Sequence, residues 1–101
     1  MQVRDLQKKS TELINRWDEL RKHKHSKEQS FMHLSEEVGE LAYHMLSKHQ
    51  RPEKYDPEEV RNSIGDIVIQ TMNLASKLNV DVEATVKDII NTDLKIIKNK
   101  T

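Results

Sequence analysis

The sequence has no cysteine, two glycines, two prolines and 4 % aromatic residues, and its 17 Lys and Arg balance its 17 Asp and Glu. Without cysteine there is no disulfide framework, no thiolate zinc site and no cysteine nucleophile. Without a basic excess, a dedicated binder of nucleic acid or of an anionic membrane is disfavoured. The first thirty residues hold no continuous apolar run, so neither a signal peptide nor a membrane span is expected, and the expected location is cytoplasmic. Hydrophobic residues make up 35 % and charged residues 34 %, against about 45–50 % and about 25 % in an average domain. The core is therefore thin. A length of 101 residues allows a single domain. In so short a chain a thin core favours association, because only a modest share of the surface can be buried.

What is present is helical periodicity in four segments. Val3, Leu6, Leu13, Trp17 and Leu20 share one stripe of a first helix, expected over about 3–23. Ser26 and Gln29 have capping-box spacing and open a second helix, about 26–49, with Phe31, Leu34, Val38, Leu41 and Met45 on its apolar face. It should end before Arg51-Pro52, since the residue ahead of a proline disfavours helical geometry. Asp56 reads as the N-cap of a third helix, about 57–78, with Pro57 at its first position and Glu59 at the reciprocal capping position. Val60, Ile64, Ile67, Val68, Thr71, Ala75 and Leu78 form its expected inner face. Asp81 caps a fourth helix, about 82–98, carried by Val82, Val86, Ile89, Ile90, Leu94 and Ile97. The lysines near its end suit the negative helix pole. The expectation is an all-α fold: a four-helix bundle-type protomer that completes its core by dimerisation.

Beside the apolar stripe of the second helix runs a polar one, His33, Glu37, Glu40 and His44, with Glu36 a turn before Glu40. The third helix carries Glu59, Ser63, Asp66, Gln70 and Asn73 in the same relation. Clustered carboxylates repel one another, and a cation offsets that cost; carboxylate oxygens are preferred ligands of Mg²⁺. If the two helices pack together, their polar stripes converge at the edge of the core, a known way to build a metal site in a bundle. A solvated helix face is the plainer explanation of such stripes. The glycines weigh against it: Gly39 and Gly65 sit inside helices beside the acidic residues. Glycine there costs about 1 kcal/mol against alanine, and so marks close packing or a site needing room.

The run Leu34-Ser35-Glu36-Glu37-Val38-Gly39-Glu40-Leu41-Ala42 resembles the Glu-Glu-x-x-Glu-Leu signature of MazG-like nucleotide pyrophosphohydrolases, and Ile64-Gly65-Asp66-Ile67-Val68 resembles that family's second motif. The stretch Leu74 to Glu83 is similar to the family's connection between third and fourth helices, and the resemblance covers roughly residues 28 to 98. It implies an all-α homodimer or dimer of dimers that hydrolyses nucleoside triphosphates to the monophosphate and pyrophosphate. The required metal would be Mg²⁺, with Mn²⁺ able to take its place. Carried over by position, Glu37, Glu40 and Asp66 would be metal ligands, with Glu36 a further ligand or the base that orients water. The catalytic set would then be Glu36, Glu37 and Glu40. Lys87, Asn91 and Lys95 lie where the family often carries residues that meet phosphate or base. Ser63 stands where the second motif normally has glutamate. A hydroxyl can ligate Mg²⁺ but supplies no negative charge, which implies weaker metal binding and one ion where the family can hold two.

Two other readings remain open at this level. One is a phosphoribosyl-ATP pyrophosphohydrolase-like enzyme, which uses a similar acidic motif. The other is a catalytically weakened helical module for oligomerisation or partner binding, with Ile69 and Met72 at its interface. His33 and His44, with Glu37 and Glu40 between them, span about 16 Å of a straight helix, too far for one ion. His23, His25 and His49 read as loop or helix-end residues, and Trp17 as a core or interface residue.

Overall fold

The computed structural model of the chain describes residues 1–100. Four α-helices follow in order, α1 (Val3–Arg21), α2 (Lys27–Gln50), α3 (Pro57–Lys77) and α4 (Val82–Lys100), with a short 3₁₀ turn at Pro52–Lys54 between α2 and α3. Every regular element among the described residues is thus helical, and the ends agree with the sequence expectation to within two residues.

The caps explain the agreement. Ser26 Oγ accepts from the Gln29 N–H at 3.2 Å, and Gln29 Oε1 accepts from the Ser26 N–H at 2.9 Å, so the capping box at the start of α2 is complete. Asp56 caps α3 by accepting from the Glu58 N–H at 2.9 Å. The reciprocal bond expected from Glu59 is absent, because that side chain reaches His44 of α2 instead, at 3.9 Å. Asp81 Oδ1 caps α4 through the Ala84 N–H at 3.2 Å. Helices α1 and α3 close into left-handed turns at Lys22 (φ 55°) and Asn79 (φ 58°).

Helices α2 and α3 form an antiparallel pair, with Lys77 near Ser30 at one end and His44 near Glu59 at the other. α1 packs on the C-terminal half of α3: Gln7 and Thr11 bond to Ser76, and Ser10 meets Met72. The start of α4 is fastened to α1. Gln7 accepts the Val82 N–H, and Arg4 pairs with Asp81 at 2.9 Å and with Glu83 at 3.0 Å. From Ala84 onward α4 is exposed along its length.

The core departs from the expectation. Met72 is the one buried hydrophobic side chain among the described residues; Gln7, Ser10, Asp18, Ser30, Ser47, Ser63, Asn73 and Glu83 are buried beside it. The apolar stripes instead face outward, with Trp17 44 % exposed, Phe31 58 %, Ile64 52 % and Leu94 59 %. Small serines along the seams let the helix backbones approach through their polar sides. Met72, expected at an outer interface, packs inside, and Ile69 is half-buried on the wall of a cleft. Gly39 and Gly65 are exposed, and a Cβ built on either meets nothing within 4 Å, so neither marks close packing within the protomer.

The chain is also expanded. Its radius of gyration is 16.7 Å, against about 13 Å for a compact chain of this length. The accessible surface is 7894 Å², where a compact monomer of this mass exposes about 6,000 Å².

Candidate active site

The polar stripes of α2 and α3 meet as their spacing suggested. A cleft of about 440 Å³ opens between the C-terminal half of α1, the N-terminal half of α2 and the middle of α3. Glu36 and Glu37 reach it from α2, Asp66 and Gln70 from α3, and Trp17, Asp18 and Arg21 from α1. Helical geometry brings these groups together: Glu37 lies one turn past His33 on the seam face, and Asp66 and Gln70 share the opposing face of α3.

Glu37 is the electrostatic centre of this wall. Its carboxyl is held above the ordinary value of 4.5, first by burial and then by the negative charges of Glu40, Asp66 and Glu36. Its Oε2 is buried and has no hydrogen-bond partner. A buried acceptor left unpaired costs about 1–3 kcal/mol, which a proton, a water or a cation would each relieve. Asn73, on the same face of α3, is fully buried, and its amide nitrogen and oxygen both lack partners.

The remaining expected residues are placed less favourably. Glu40 is exposed on α2, within electrostatic reach of Glu37 but outside the cleft lining. Ser63 is buried, 5 % exposed, yet does not line the cleft. Lys87, Asn91 and Lys95 lie on the exposed length of α4 and do not line the cleft; Lys87 approaches Glu83 at 4.0 Å. Among the described residues no three His, Asp or Glu side chains are gathered closely enough to hold a metal ion. The carboxylates therefore stand near one another without forming a closed ligand set.

The residues missed from the sequence are Asp18, His25 and Lys77. His25, read as a loop residue, is pinned against α1 by Asp18 at 2.7 Å and meets His33 at 3.1 Å. Lys77 crosses from α3 to the His25 carbonyl at 2.6 Å and to Ser30 Oγ at 2.8 Å. The available signal was weak: an aspartate in the last turn of α1, seven residues ahead of a histidine in the connecting loop.

No helix among the described residues is long and apolar enough to cross a membrane. Comparison with protein-family models, with curated proteins and with solved structures finds no match to this chain.

Proposed function

We propose that the chain is a Mg²⁺-dependent nucleoside triphosphate pyrophosphohydrolase, releasing the nucleoside monophosphate and pyrophosphate. The observation that carries this reading is Glu37: a carboxylate with one buried, unpaired oxygen, surrounded by Glu36, Glu40 and Asp66 from two facing helices. Such a wall is costly without a cation, and its oxygen donors suit Mg²⁺, or Mn²⁺ in its place. Glu37, Glu40 and Asp66 would hold the ion, and their side chains would have to move together to do so, because the set is not closed. When bound, it would neutralise phosphate charge and lower the pKa of a coordinated water. Glu36 lines the cleft and would orient the attacking water. Trp17 and Ile69 give the cleft an apolar wall suited to a flat base.

The working form would be a homodimer in the cytoplasm. The outward apolar stripes and about 1,900 Å² of accessible surface beyond that of a compact monomer exceed what one side of a standard interface requires. A second copy is also the means by which Lys87, Asn91 and Lys95 would reach a cleft. Two observations favour a catalytically weakened helical module instead: Ser63 stands apart from the cleft, and no ligand set is closed among the described residues.

The test is direct. The protein is incubated with a panel of NTPs and dNTPs plus Mg²⁺, and pyrophosphate release is assayed. Release with at least one nucleotide, lost in Glu40→Gln together with Mg²⁺ affinity, is the expected result. No release from any nucleotide, with Mg²⁺ binding unchanged in Glu40→Gln, refutes the enzyme.

A further inference from the structure

The cleft holds a chain of hydrogen-bonded side chains that the chemistry above leaves unused. Asp18 is 6 % exposed. Its Oδ1 lies 2.7 Å from His25 Nδ1, and its Oδ2 accepts the His25 backbone N–H at 3.3 Å. On the other side of the same imidazole, Nε2 lies 3.1 Å from Nε2 of His33. The second nitrogen of His33, Nδ1, faces Glu36 with 3.8 Å to Oε2. Lys77 fixes the loop from a third side through the His25 carbonyl. Arg21 of α1, Glu37 of α2 and Asp66 of α3 line the cleft beside the two rings.

This connectivity assigns the protons. Burial pushes the Asp18 carboxyl up, but the hydrogen bonds from the His25 side chain and backbone and the charges of His25 and Lys77 outweigh it, leaving it below its ordinary 3.8. An ionised carboxylate only accepts, so His25 Nδ1 carries the hydrogen and, in the neutral ring, Nε2 is the lone pair. His33 must then donate from Nε2, which leaves a lone pair on His33 Nδ1. The Glu36 carboxylate also only accepts, so the 3.8 Å separation holds no direct hydrogen bond, and a water beside the two groups can donate to both.

We propose that His33 Nδ1 is the proton acceptor for the attacking water, held in that tautomer by Asp18 and His25 as positioning residues. The proposal rests on the phosphoanhydride hydrolysis inferred above. As the water oxygen bonds to phosphorus, its proton passes to His33 Nδ1. The hydrogen on His33 Nε2 passes to His25 Nε2, so the positive charge comes to rest on His25 against the Asp18 carboxylate. The P–O bond to the leaving phosphate group breaks, and that oxygen keeps the electron pair. Release of the extra proton to solvent restores the chain. A staple joining α1 to α2 needs only Asp18 and His25; it gives no role to the partly exposed His33, whose side chain is 43 % accessible.

Imidazole nitrogen NMR reads the tautomers without reference to activity. The expected wild-type spectrum has hydrogen on His25 Nδ1 and His33 Nε2. In Asp18→Asn the amide oxygen keeps the backbone N–H and turns its NH₂ to His25 Nδ1, so both rings change tautomer and His33 Nδ1 gains the hydrogen. His33→Gln, at a partly exposed position, should fold as wild type by circular dichroism and lose about a hundredfold or more in kcat, with Mg²⁺ affinity unchanged. The opposite wild-type tautomers, or near-wild-type kcat in His33→Gln, overturn the proposal while leaving the enzyme intact. No pyrophosphate from wild-type protein removes the enzyme, and the base role with it.

Discussion

Replacing Glu37 by glutamine should make the protein more stable and less able to bind Mg²⁺. The side chain keeps its size, loses its charge and gains an NH₂ that can donate to Asp66 or Glu40. The buried oxygen without a partner represents about 1–3 kcal/mol of uncompensated desolvation. Repulsion from Glu36, Glu40 and Asp66 adds to it, but the half-exposed residue is screened by solvent. A net gain of about 1–2 kcal/mol at neutral pH follows, or roughly 5–10 °C in Tm for a domain of this size. The pH dependence has a definite sign. Because the folded carboxyl lies above 4.5, the native state binds more protons than the unfolded one between 4.5 and the raised value. Wild-type stability therefore falls as pH rises through that window. The gap between variant and wild type should be full at neutral pH and vanish below the ordinary carboxylate range. Urea unfolding followed by circular dichroism at several pH values, at one protein concentration, measures it. A variant no more stable than wild type at neutral pH, or a gap that persists in acid, would refute the account of Glu37 as a strained carboxylate. Titration calorimetry with Mg²⁺ should show binding weakened at least tenfold.

Two further outcomes are expected. Asn73→Leu keeps the branched shape at a fully buried position and removes two unpaired polar atoms, so it should stabilise the protomer by about 1–2 kcal/mol in urea titrations; a loss instead means that the amide meets a partner. Ile90→Asp, on the outward stripe of α4 where Ile90 is 51 % exposed, should convert dimer to monomer in sedimentation equilibrium, and a wild-type protein that sediments as a monomer at micromolar concentration refutes the dimer.

Much of this architecture is written in local chemistry. Ser26 with Gln29, Asp56 with Pro57, and Asp81 each announce a helix start because their side chains satisfy backbone N–H groups within a few residues. The acidic residues of α2 and α3 were also legible as stripes, since 3.6 residues per turn places Glu37 with Glu40, and Ser63 with Asp66. Local information could not say which stripe faces inward. Leu6, Val38, Ile64 and Leu94 have the spacing of a core, yet each is exposed in the protomer, while Ser30, Ser63 and Asn73 are buried. Periodicity assigns residues to faces of a helix; the packing partner assigns a face to the interior, and for the apolar stripes the single chain supplies little of one. The glycines show the same limit, because the space around Gly39 and Gly65 depends on what packs there, and in the protomer nothing does.

The helices and their caps, the stripes and the thin core thus follow from composition and spacing, where each cause acts within about one helical turn. The meeting of Asp18, His25, His33 and Lys77 does not, since it joins α1, the connecting loop, α2 and α3. Distances of a few ångströms between residues about fifty positions apart, as for Lys77 and His25, arise only when the chain has folded back on itself. That step sets a loop histidine, read as such from the sequence, between Asp18 and His33.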